Sequence, residues 1–191
     1  LAGLQCHKQL WWRVHEPNAP ELVPDAATQR VFDAGTHVGE VARSYVPGGV
    51  LIDLPHTDYE GKIAETQRAI TAGAPAIYEA SFSADQVFVA VDILAREPQG
   101  WRIIEVKSTT SLKEQHLPDA AIQVHVLRQA GLPVTSVEVM VLNRACTYPD
   151  LSDLFTRHDV SAEVDALQDG VPAEVQSQLS TLAGPLPDVP I

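Results

Sequence analysis

Apolar positions along the chain fall into two periods. A helical period predicts a first helix over 1–15, with Leu4, Leu10, Trp11 and Val14 as its stripe. It predicts a second over 26–45, capped by Asp25, with Val31, Phe32, Val38, Val41 and Ala42 turned inward. Gly35 and Gly39 inside that helix cost about 1 kcal/mol each against Ala, which points to close approach of another backbone. A third helix is expected over 59–72. Short, continuous Val/Ile-rich runs predict strands over 50–53, 76–82, 86–95, 101–107 and 136–143, with a last strand inside 151–160 that turns Leu154 and Phe155 inward. The turn residues Glu97-Pro98-Gln99-Gly100 join two of these runs as an antiparallel hairpin. A helix over 118–130, closed by Gly131, follows the hairpin. Residues 161–183 read as helix interrupted at Gly170 and Pro172, and a Pro-rich tail ends the chain. The fold class is mixed α/β in the order α-βββ-α-β, with extra helices at both ends.

Charge interrupts the pattern at one place. Glu105 and Lys107 lie two apart on a run otherwise made of Ile103, Ile104 and Val106, so both emerge on one face. Charges on a core strand must be paired or bound to a metal. The first alternative makes them a local ion pair. The second gains from Asp92, the one acid in the preceding strand, which the hairpin brings near Glu105. Two such carboxylates repel unless a divalent cation lies between them, and hard oxygen ligands suit Mg²⁺ or Mn²⁺. Lys107 would then hold a water or stabilise charge on a phosphate.

Asp92 followed by Glu105-Val106-Lys107 resembles the core of the PD-(D/E)XK nuclease superfamily, whose common core has this restriction-endonuclease-like element order. Gly35-Thr36-His37 on an upstream helix and Gln123 on the helix after Lys107 extend the resemblance to the RecB-like branch. That branch includes the nuclease domains of RecB and AddB and the CRISPR-associated exonucleases. The opening GLQCHKQLW, Gly3 to Trp11, and IEVKST, Ile104 to Thr109, are similar to motifs of an uncharacterised bacterial family related to those exonucleases. The resemblance implies His37, Asp92, Glu105 and the Val106 carbonyl as metal ligands. It implies Lys107 as catalytic lysine, Gln123 as its support or a substrate contact, and Glu79 as a further acid on the first core strand. Without the resemblance, His37 reads as a surface or structural residue and Glu79 as a partner for a nearby Arg or Lys. Relatives carry a Tyr four residues after the Gln, where this chain has Leu127. They also often hold a [4Fe–4S] cluster on one early and three late cysteines. Cys6 stands at the early position, but Cys146 is the only other cysteine, so this chain alone cannot supply the four thiolates.

The expected activity is metal-dependent cleavage of DNA, as an exonuclease on single-stranded or frayed ends, in repair, recombination or defence. The alternative is a catalytically silent DNA-binding or scaffold module of the same fold. The net charge of −12 excludes a simple basic-surface nucleic-acid binder. Part of the excess is local, since no Lys or Arg follows Arg157 while six acids do. The 191 residues suit one nuclease-like domain, with 158–191 as an acidic helical extension and tail. An opening Leu1 and a tail that leads onward suggest a fragment of a longer protein, with other domains or repair proteins as partners. No apolar run is long enough for a membrane span, and two distant cysteines fit a reducing, cytoplasmic setting.

Overall fold

A computed structural model describes residues 2–188. Its framework is one six-stranded mixed sheet whose strands lie side by side in chain order. They are β1 (Val50–Leu51), β2 (Ala76–Ala84), β3 (Val87–Glu97), β4 (Gly100–Lys107), β5 (Val134–Leu142) and β6 (Phe155–Asp159). The pairs β2–β3, β3–β4 and β5–β6 are antiparallel, whereas β1–β2 and β4–β5 are parallel. Parallel pairing of β4 with β5 needs a crossover, and α5 (His116–Gln129) supplies it. It begins two residues before the predicted start, with Pro118 in its first turn. Gly131, at φ +82°, ends the turn beyond it.

Both faces of the sheet are covered, which explains why its strands read as unbroken apolar runs. One face carries Ile77, Val91, Leu94, Ile103 and Val139, packed under α5 and α4 (Tyr59–Thr71). The other carries Tyr78, Ile93, Ile104 and Met140, packed against Ala42 near the end of α3 (Ala26–Arg43). The C-terminal helices α6 (Ser161–Leu167) and α7 (Val171–Ala183) also belong to the core, since Val164, Val171 and Val175 are buried in the α5-side cluster. They are not the loose extension that their acidity suggests. The last three residues of the predicted tail lie outside the described residues.

Two expectations about the N-terminal helices fail. The first helix breaks at Cys6 into α1 (Ala2–Gln5) and α2 (His7–His15), where Cys6 has extended backbone and its Sγ accepts the Gln9 N–H as an N-cap. The break resets the stripe, so Trp12 is buried and Val14 is exposed. On α3 the Asp25 cap is as predicted, its carboxylate accepting from Thr28 N at 2.7 Å. The first half of the helix nevertheless projects into solvent, and Val31 and Phe32 are exposed. Gly35 and Gly39 meet no close backbone. Among the described residues no helix is long and apolar enough to cross a membrane.

Gly100 is where the packing is tightest. A Cβ there would stand 2.4 Å from the Pro133 carbonyl oxygen, at the irregular start of the β4–β5 register. Backbone cannot move aside as a side chain can. Gly100→Ala should therefore cost about 1–3 kcal/mol of unfolding free energy, measured by urea denaturation; an unchanged midpoint would mean that β4 and β5 can separate there freely.

Candidate active site

The site forms where the β3–β4 ladder stops. Pairing runs from Glu97 opposite Gly100 to Ile93 opposite Ile104 and goes no further. Beyond that point β4 continues alone with β5, as Glu105, Val106 and Lys107 pair with Val139, Met140 and Val141. The Asp92 side chain takes over from the missing backbone partner, its Oδ2 accepting from Val106 N at 2.7 Å. A residue's N–H and C=O leave a strand on the same edge, so the Val106 carbonyl faces the same opening.

The alternation of faces slips at this level. Val91 and Leu94 share the α5-side core, and so do Ile77 and Ala80 on the neighbouring strand. Ile93 and Tyr78 face the other way. Between them Glu79 has φ +59°, a left-handed conformation that costs a non-glycine residue on the order of 1–3 kcal/mol. Continued one step past the Ile93–Ile104 pair, the antiparallel register sets Asp92 opposite Glu105 on the same face, and the slip in β3 falls between Ile93 and Val91.

Helix α5 and strand β4 match each other here. Glu105 and Lys107 are two strand residues apart, roughly 6.6 Å of rise. Asp119 and Gln123 are one helical turn apart, roughly 6 Å. The pairs therefore dock in register. Gln123 Nε2 donates to Glu105 Oε2 at 2.7 Å, and Lys107 Nζ donates to Asp119 Oδ2 at 3.0 Å and to Glu105 Oε1 at 2.8 Å. Gln123 is wholly buried, and its Oε1 has no partner. Burial pulls the Lys107 ammonium towards neutrality, but Glu105 and Asp119 outweigh it and hold the pKa above the ordinary lysine value. Asp92 is shifted the opposite way for an acid: burial first, then the Glu105 charge, push its pKa well above the ordinary carboxylate range.

The structure thus brings together Asp92, Glu105, Val106, Lys107 and Gln123. Gln123 supports Glu105 rather than Lys107, and its burial removes it from substrate contact. His37 does not join them. Gly35 faces Ser108, whose Oγ lies 4.0 Å from where a Gly35 Cβ would be. Two residues further is about 200° around a helix, so His37 points away. Its side chain is 77% exposed and pairs with Glu40 at 3.7 Å. Glu79 lies near enough to raise the Asp92 pKa, but its carboxylate is bound by Arg43 at 3.0 Å, as its plainer reading expected. Cys6 serves as a helix cap, and Leu127 fills the core with no exposure. Among the described residues no three His, Cys, Asp or Glu side chains converge as a metal site. Asp119 was missed as a site residue; its spacing to Gln123, repeating the Glu105–Lys107 step at helical pitch, was the available signal.

Beside Lys107 opens a cavity of about 520 Å³, walled by the Ser108 loop, the first turn of α5 and α1. No protein-family model matches the chain, and no curated protein matches it significantly.

The donors are of the hard-oxygen type that Mg²⁺ takes, with Glu105 already accepting from Gln123 and Lys107 and Asp92 from Val106 N. Two carboxylates and one carbonyl edge are available, and Mg²⁺ is commonly held by one or two carboxylates with waters completing its shell.

The upward shift of the Asp92 pKa has a sign. An acid whose pKa is raised on folding stabilises the fold below its unfolded value and loses that contribution as pH rises through the folded pKa. Asp92→Asn keeps the acceptor for Val106 N and removes the charge. Without metal, it should unfold at higher urea concentration than wild type at pH 8, with the gap closing towards pH 4. A variant less stable than wild type at pH 8 would refute the repulsion.

Proposed function

We propose that this chain is a metal-dependent nuclease domain of the PD-(D/E)XK type, RecB-like, that hydrolyses phosphodiester bonds in DNA. The observation that carries this reading is the meeting of Asp92 and Glu105 at the end of the β3–β4 ladder, with Lys107 next to them on β4. A scaffold would have no physical need to bury mutually repelling carboxylates. Asp92, Glu105 and the Val106 carbonyl would hold Mg²⁺ or Mn²⁺, which when bound supplies Lewis acidity at the phosphate and a water of lowered pKa.

The chain's own groups have defined tasks. Lys107 stays protonated because Glu105 and Asp119 flank it. It therefore acts as a fixed cation and donor to charge developing on the phosphate, not as a base. Gln123 fixes the Glu105 carboxylate, and Asp119 fixes the far side of the lysine. Single-stranded or frayed ends are the substrate we favour, and the unpaired cysteines Cys6 and Cys146 suit a reducing, cytoplasmic setting.

A second reading, a catalytically silent module of the same fold, draws support from two observations. Lys107 is already compensated by two carboxylates, and the chain carries a net charge of −12. Calorimetry separates the readings, because a silent module need not bind Mn²⁺.

The deciding assay is cleavage of end-labelled single- and double-stranded DNA in Mg²⁺, Mn²⁺ or EDTA. Wild type should cut only with metal, and Lys107→Ala should lose on the order of 10²-fold or more in rate. Undiminished cutting by that variant would remove Lys107 from the mechanism. Asp119→Asn should lower the rate less, since Glu105 still holds the ammonium.

A further inference from the structure

His116 is a buried side chain beside the candidate site with one polar edge turned to the cavity. It is 3% exposed and forms the first turn of α5. Its Nδ1 accepts the Lys113 backbone N–H at 3.2 Å, so the neutral ring carries its proton on Nε2. That edge has no protein partner, and His116 lines the cavity of about 520 Å³ next to Lys107. The remaining wall combines the Ser108 hydroxyl and the Gln115 amide with the apolar surfaces of Leu4 and Pro118. Asp119, the one acid on the wall, is ion-paired with Lys107 at 3.0 Å, an ammonium it shares with Glu105. Donors on one side and apolar surface on the other suit a ligand with an anionic, oxygen-rich part and a flat or alicyclic part. The volume lies within the range of small-molecule sites.

We propose that this cavity is a nucleotide subsite, in which His116 Nε2–H donates to a non-bridging oxygen of a substrate phosphate next to the one being cut. It rests on the reading of the neighbouring carboxylates as a phosphodiester-cleaving centre. His116 here is a binding residue and does not transfer a proton in the reaction. Burial and the charge of Lys107 lower its pKa, aided by Lys113 and opposed by Asp119 and Glu105, so the ring stays neutral around pH 7. Protonation would also put a hydrogen on Nδ1, facing the Lys113 N–H. The site therefore reads phosphate with a neutral donor, and its affinity should not rise in mild acid through this ring.

The test uses the full chain in EDTA, so that cleavage plays no part. Thymidine 3′,5′-bisphosphate, inorganic phosphate and thymidine are titrated while the imidazole ¹⁵N resonances of the seven histidines are followed by NMR. The bisphosphate should shift the His116 Nε2 resonance. Its affinity should fall about tenfold or more in His116→Phe and be largely restored in His116→Gln, whose amide supplies a donor near the same position. Equal affinity in wild type and His116→Phe would overturn the proposal. So would binding of thymidine as tight as that of the bisphosphate, or shifts confined to other histidines. The cleavage assay is scored separately. A chain that binds the bisphosphate through His116 but never cuts keeps the subsite and loses the nuclease, whereas a chain that cuts without His116-dependent binding does the reverse.

Discussion

The contact between Glu105 and its neighbours sets the form of everything near it. A carboxylate inside a sheet must be satisfied, and here Gln123 and Lys107 each take one oxygen. Those two bonds fix α5 against β4 in height and rotation, because Asp119 must meet Lys107 at the same time. The crossover helix is otherwise apolar on almost every side, as its buried Ala120, Ile122, Val124, Val126 and Leu127 show. Apolar packing alone would let such a helix slide or rotate by small steps. The polar pairs select one setting. They have a cost, since Gln123 Oε1 is buried without a partner, a loss of about 1–3 kcal/mol for such an acceptor.

The opposite half of the site is built by departing from regular structure. Asp92 lies where the β3–β4 ladder ends and where alternation slips in β2 and β3 together. Glu79 absorbs the slip in a left-handed conformation, and Arg43 at the end of α3 holds its carboxylate. Helix α3 therefore contributes through its last turn, not through the histidine in its middle. Strain at Glu79, lost ladder bonds beyond Ile93 and the raised Asp92 pKa are three signs of one arrangement, which an unrelaxed sheet would remove.

Much of this was legible in the chain. The strands were plain because both sheet faces are covered, which leaves long Val/Ile runs with short turns between them. The Glu105–Lys107 pair was visible as charge on an apolar run, and its period of two put both on one face. Asp92 was placed near Glu105 by the hairpin, but the slip of faces beside it, taken up at Glu79, has no signature in the sequence. His37 was misplaced because a motif gives position along a helix and not its rotation; Gly35 takes the inward direction. Val31 and Phe32 followed a good amphipathic pattern on a segment that nothing in the described structure covers. Asp119 looked like an ordinary first-turn helix residue and His116 fell before the predicted helix, and the partner of Asp119, Lys107, is on another element.

The two ends of the described fold meet beside the cavity. His7 pairs with Thr181 at 2.6 Å, and Trp11 donates to the Gly184 carbonyl at 2.9 Å. These contacts span nearly the whole chain, so closing them carries a larger loop entropy than any contact inside the sheet. The helices they fasten also bring Leu4 and Gln5 to the cavity wall. Helix α7 also packs Val171 and Val175 into the α5-side core, so the clasp joins the chain's start to that core. The α2–α7 clasp thus makes the wall of the cavity depend on contacts between the two ends of the described chain.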